Sequence, residues 1–127
     1  AYYYMEYAKY RQLYNETLNE LQKYSKYMFV NILVDYGNGT KDWHNKTLVV
    51  RGADVLNATR MVAEVEYEVY TWGKFVTHIN GVGGDPGYYW LYYVWNSTSG
   101  KWDSPLVGSE AYILRESDTV AWNYTKF

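Results

Sequence analysis

From residue 2 to residue 28 the chain contains neither Gly nor Pro, and its apolar-stripe positions fall at Tyr3, Tyr7, Tyr10, Tyr14, Thr17, Leu21, Tyr24 and Met28. The steps between them alternate four and three. That is the seam of an amphipathic helix of roughly six or seven turns, which packs along a second helix or a long groove. Such a helix overruns a body of about 100 residues, whose radius of gyration is about 13 Å. Part of the stripe is therefore expected to seek another subunit. Tyr3, Tyr7, Tyr10, Tyr14, Leu21 and Tyr24 are the expected assembly interface, with further copies of the chain as partner; docking on the chain's own body is the alternative.

The pattern then changes. Met28 to Tyr36 is a run rich in Val, Ile and Leu that reads as a buried strand, ended by Gly37, Asn38 and Gly39. A second strand is expected from Lys46 to Arg51, giving a hairpin with Asn38 near its tip. Gly52 and Asp54 introduce a short helix near residues 53 to 64, with Val55, Leu56, Ala58, Thr59, Val62 and Ala63 on one side. Asn57, Arg60 and Glu64 lie on the other. An extended stretch from Lys74 to Asn80 leads into a loop holding Gly81, Gly83, Gly84, Asp85, Pro86 and Gly87. Tyr88 to Trp95 is intensely aromatic, Asn96 to Gly100 breaks it, and the last extended pieces are expected at Ala111 to Arg115 and Thr119 to Tyr124. The order predicts an α+β protein: an N-terminal helix over residues 1–27 and one domain over residues 28–127.

Composition adds a preference for contact surfaces. Aromatic residues make up 20% of the chain, chiefly 17 Tyr and 6 Trp, side chains that join a large apolar face to a polar handle. The net charge is −2 and no basic run occurs, which argues against nucleic acid as a partner. No stretch approaches the roughly 18 consecutive apolar residues that span a bilayer. The chain opens at Ala1 instead of Met, as expected after removal of a leader peptide. Cysteine is absent, which excludes disulfides and thiolate chemistry and tilts the expected source of an exported domain toward a microbe, an archaeon in particular.

The most specific signal is a set of six Asn-x-Thr triplets opening at Asn15, Asn38, Asn45, Asn57, Asn96 and Asn123, none with Pro in the middle. With nine Asn and 15 Ser plus Thr in the chain, chance supplies roughly one. Covalent N-linked glycans at these six asparagines are expected, and with them an extracellular, cell-surface location.

Four pieces of the chain carry a resemblance. Gly52-Ala-Asp-Val-Leu-Asn-Ala, Gly73-Lys-Phe-Val-Thr-His-Ile-Asn-Gly-Val, Tyr89-Trp-Leu-Tyr-Tyr-Val, and Gly108-Ser-Glu-Ala-Tyr-Ile-Leu followed by Asp118-Thr-Val-Ala-Trp-Asn-Tyr occur in that order. Together, from about Val30 to Tyr124, they resemble the β-grasp family typified by the C-terminal domain of transcobalamin and intrinsic factor, which recurs in microbial surface proteins. The resemblance implies a β-grasp-like domain. In the vitamin carriers this domain helps enclose a corrinoid together with a larger helical domain.

Catalytic chemistry is not legible. His44 and His78 are the only histidines and have no partner at zinc-ligand spacing. Asp35 to Asp42 has oxygen donors but not the register of a calcium loop. The Gly81–Gly87 loop lacks a phosphate-binding Gly-Lys-Ser/Thr ending, and Glu64, Glu66 and Glu68 read as edge charges instead of a hydrolytic pair. The expectation is a non-enzymatic protein with no catalytic residues, no cofactor and no metal. It is a glycosylated, pilus-like filament or fibril subunit, or alternatively a binding module for a corrinoid-like small ligand or a carbohydrate. Tyr89, Trp90, Tyr92, Tyr93 and Trp95 are the candidate residues for stacking a ligand or a glycan, with one face of that strand in the core and the other at an interface or in contact with glycan.

Overall fold

The computed structural model describes residues 8–17 and 26–127. Residues 8–17 form a helix, α1, exposed at every position. Strands β1 (Tyr27–Asp35) and β2 (Lys41–Val50) follow as an antiparallel hairpin. Along β1 the alternate residues Met28, Val30, Ile32 and Val34 are buried in the core, the period-two burial of a sheet with one dry face. A bulge between Val30 and Ile32 is held by Asn31, whose Oδ1 accepts from the Lys46 N–H at 3.0 Å. Lys46 takes the extra residue with φ of 52°. In the hairpin turn Gly37 has φ of +75°, and a Cβ there would meet the Tyr124 carbonyl oxygen at 2.4 Å; only glycine fits.

Helix α2 (Val55–Arg60) is short and firmly started. The Asp54 carboxylate accepts from the Asn57 N–H at 2.7 Å, an N-cap that satisfies one of the first-turn donors. Its buried face presents Val55, Leu56, Ala58 and Thr59. Thr59 Oγ1 donates to the Val55 carbonyl and accepts from Trp122 Nε1 at 2.8 Å. This buried pair of bonds fixes the helix to the far end of the chain.

Strands β3 (Val65–Tyr70), β4 (Gly73–Ile79) and β5 (Val82–Gly83) make a small antiparallel sheet. Strands β6 (Tyr88–Asn96), β7 (Lys101–Asp103) and β8 (Thr119–Lys126) complete the large one, in the order β2-β1-β8-β6-β7. The β1–β8 pair is parallel and the other pairs are antiparallel. The inner face of the large sheet, with Trp90, Val94, Val120, Trp122 and Tyr124, packs against α2 and against Val76 and Ile79 of β4 in one core.

The structure corrects the α+β assignment. The described residues are mostly β, two sheets with little helix; no long N-terminal helix is found among them, and the one expected through residue 27 runs into β1, which begins at Tyr27. Met28, the last position of the apolar stripe, is buried in that strand, where its alternation with Val30 and Ile32 overrides the three-four spacing. Tyr3, Tyr7, Leu21 and Tyr24 lie outside the described residues. Other boundaries move as well. Strand β2 begins at Lys41, before the bulge, and not at Lys46. Helix α2 stops at Arg60. Ala111 to Arg115 contributes only an isolated bridge between Asp54 and Ile113, and β3, β5 and β7 were not anticipated.

Candidate functional site

Five rings from both sheets form a ladder along one side of the molecule. At the β3–β4 turn Tyr70 and Trp72 stack with centroids 5.1 Å apart and planes within 4°. Trp72 meets Phe75 of β4 edge-on at 6.3 Å, and Phe75 meets Tyr89 of β6 at 6.4 Å. Tyr89 leads on to Phe127 at 5.6 Å. These are edge-to-face and offset-stacked geometries, the preferred ones for aromatic quadrupoles. Trp72 and Phe127 are 69% and 73% exposed, so the ladder offers ring faces and edges to solvent instead of spending them in the core.

Beside Phe75 and Tyr89 opens a groove of about 260 Å³, walled by the Gly84–Gly87 loop with Asp85 and Pro86 and by Thr77. The loop is pinned from below. The Asp85 N–H donates to the Tyr124 hydroxyl at 3.0 Å, and that hydroxyl donates to Asp85 Oδ2 at 2.8 Å. Burial, and then this bond to the carboxylate, raise the Tyr124 phenol above its ordinary pKa. Tyr124 also stacks on Tyr88 and Trp90, and Trp90 Nε1 donates to the Val82 carbonyl at 2.8 Å. At Gly83 a Cβ would meet the Thr77 carbonyl at 2.1 Å and the His78 ring at 2.8 Å, so β5 lies as close to β4 as glycine allows. The groove thus has a rigid apolar floor and one carboxylate at its rim, an arrangement that suits a flat ring or the C–H face of a sugar.

Alternation along β6 divides the stacking residues read from the sequence. Trp90 and Tyr92 face inward: Trp90 is buried in the core, and Tyr92 packs on Trp122 and Tyr112 at 5.5 and 6.4 Å. The Tyr92 hydroxyl donates to the Val107 carbonyl. Its pKa is pushed up to about 12, by burial first and then by the charges of Glu110 and Tyr112. Tyr89, Tyr93 and Trp95 face outward; only Tyr89 joins the ladder, while Trp95 meets Trp102 edge-on at 5.2 Å. Tyr70, Trp72, Phe75 and Phe127 were missed from the sequence, because nothing in it joins the β3–β4 hairpin to Tyr89 and Phe127.

Of the sequon asparagines, Asn15, Asn38, Asn45 and Asn57 are exposed, and Asn96 and Asn123 are half-buried. Asn38 and Asn96 begin tight turns in which their own Oδ1 accepts from the Thr40 and Thr98 N–H groups at 3.0 Å. Of the tyrosine stripe, Tyr10 and Tyr14 are described and exposed on α1. The carboxylates of β3 are edge groups: Glu66 Oε2 lies 3.1 Å from His78 Nδ1, and Glu68 accepts from the Tyr70 hydroxyl. Glu110 is different. Its Oε2 is buried without a hydrogen-bond partner, and its carboxylate rests against Gly73 and Gly108, where added Cβ atoms would meet it at 2.4 and 2.6 Å. Among the described residues no three His, Cys, Asp or Glu side chains gather as a metal site, and no helix is long and apolar enough to cross a membrane.

Comparison with known proteins agrees with this architecture. A family described as a domain of unknown function, DUF4430, matches residues 52–126. No curated protein sequence matches. Among solved structures the chain is similar to haptocorrin in complex with Cbi, at 19% identity and a TM-score of 0.66 over 80% of this chain. The match spans only 25% of the haptocorrin chain. It is also similar to a protein of Ruminococcus gnavus ATCC 29149 provisionally described as metal binding, at 14% identity and a TM-score of 0.60, covering 79% of this chain and 98% of that one. These likenesses establish the transcobalamin-like, β-grasp-like fold that the four sequence pieces resemble.

Proposed function

We infer that this chain, which belongs to the DUF4430 family, is a non-enzymatic binding module of an exported, N-glycosylated protein that holds a flat or sugar-like ligand against its ring ladder. The observation that carries this reading is the run of Tyr70, Trp72, Phe75, Tyr89 and Phe127, of which Phe75 and Tyr89 wall a groove with a pinned loop. Large aromatic side chains left in solvent and held in fixed geometry are what a stacking site needs. Haptocorrin, seen in complex with Cbi, supports a binding role for this fold, although fold alone does not carry a ligand across. The filament role expected from the tyrosine stripe gains no such support. Six sequons favour the extracellular, cell-surface setting.

Titration with corrinoids, haem and a panel of oligosaccharides, followed by tryptophan fluorescence and calorimetry, tests the proposal. One of these classes is expected to bind with a change in Trp72 emission, and Trp72→Ala with Phe75→Ala is expected to weaken it at least about tenfold, the effect of losing about 1.4 kcal/mol. Trp95→Ala, at the other end of β6, should leave it unchanged. Binding that survives the Trp72 and Phe75 substitutions, or no binding by any of the three classes, overturns the reading.

A further inference from the structure

The large sheet has a second face, turned away from the core. Tyr27 and Phe29 of β1, Trp43 and Leu48 of β2, and Trp95 and Trp102 beyond them are each between 40% and 52% exposed there. At its centre Leu33 and Ala121 are buried but belong to no part of the core. Over them opens a groove of about 340 Å³, bounded by Tyr93, Trp102, Asp35, Lys41 and Asn123. Asn123 stands opposite Leu91 on one side and Asp35 on the other. Trp122 and Tyr124, its neighbours along β8, point into the core. A sequon, Asn123-Tyr-Thr125, is therefore laid in the middle of the open apolar face.

We propose that Asn123 carries an N-linked oligosaccharide whose first sugars lie in this groove against Tyr93 and Trp102, so that the glycan is the covalent lid of the outer face. Three features of the groove fit a sugar. The two rings offer planes for the apolar C–H face of a pyranose. Asp35 and Lys41, 3.8 Å apart, offer an acceptor and donors for its hydroxyls. A tethered ligand acts at an effective concentration in the millimolar range, so weak stacking suffices to cover the surface. In the attachment step Asn123 Nδ2 attacks the anomeric carbon of a lipid-phosphate-linked oligosaccharide. The C–N bond forms, the C–O bond to phosphate breaks, the lipid phosphate leaves with the bonding pair, and the amide gives up one proton to base.

The inference rests on the exported, N-glycosylated reading, and peptide mapping of the native protein by mass spectrometry separates the two. Sugar mass is expected on the Asn123 peptide as well as on those of Asn38 and Asn57. A bare Asn123 beside occupied Asn38 and Asn57 overturns the inference alone, whereas bare asparagines at all six positions remove the reading beneath it. In the glycosylating host, Thr125→Ala is expected to raise binding of a hydrophobic dye several-fold and to open Trp102 to acrylamide quenching, while Thr125→Ser, which keeps the sequon, does neither. Asn123→Gln gives the same reading should Thr125→Ala fail to fold. Occupied Asn123 with dye binding and quenching unchanged in both variants overturns the lid. A sedimenting dimer abolished by Trp102→Ala, with Asn123 bare, assigns the face to a second copy and overturns it too.

Discussion

The two faces of the large sheet are made by the same strands from the same kinds of side chain, yet they meet opposite fates. Inward, Trp90, Trp122 and Tyr124 are at most 5% exposed, and Trp122 and Tyr124 satisfy their polar atoms inside the protein, on Thr59 and Asp85. Outward, Trp43, Trp95 and Trp102 keep 40% or more of their surface. The strand period decides only which side a residue takes. Whether that side becomes dry depends on what the chain sets over it, and here α2 and the core residues Val76 and Ile79 of the small sheet cover the inner face.

The sharpest way to test this contrast is to truncate one tryptophan on each side. Trp122→Ala removes a buried indole and its bond to Thr59, and chemical denaturation should show a loss of about 3–5 kcal/mol. The next effect is a pH dependence on the inner side. Tyr92 holds its proton in the folded chain up to about 12 against an ordinary value of 10.0, whereas the unfolded chain releases it first. Its contribution to stability is complete below pH 10.0 and is lost as pH rises through about 12. Denaturation midpoints measured across that window should fall, and more shallowly in Tyr92→Phe. Asp54→Ala, which uncaps the helix closing the inner face, should cost about 1 kcal/mol by thermal unfolding. Trp102→Ala on the outer face should change the same measurement by about 0.5 kcal/mol or less. If Trp102→Ala proved as costly as Trp122→Ala, the outer face would not be the open one.

Much of the fold was legible because its strands are long and regular. The Val and Ile alternation in β1, the Gly37–Gly39 break, the Asp54 cap and the aromatic run of β6 each announce themselves locally. Strand β7, with three residues, and β5, with two, are too short for a period to show. In β3 the alternation Val65-Glu-Tyr-Glu-Val-Tyr buries no residue fully, so no dry face marks it as a strand. The expected N-terminal helix runs over the start of β1 because the three-four spacing continues by coincidence into Met28. The ring ladder lay beyond reach for a different reason: Tyr70, Trp72 and Phe75 belong to the β3–β4 hairpin, and they meet Tyr89 and Phe127 only when the small sheet docks beside β6. Asn123 was found as a sequon, but its place on an open sheet face needed the register of β8 between β1 and β6.

That parallel β1–β8 pair sets the timing of folding. Asn31 and Thr119, which meet through their side chains at 3.3 Å, are 88 residues apart along the chain. The middle of the sheet therefore cannot zip until Thr119–Lys126 has been synthesised, and such distant pairings form late and slowly. Strand β6, nearer in the chain, can pair with β8 first, so the β1-facing edge of β8 is the last to close and stays open longest to any enzyme that works on nascent polypeptide.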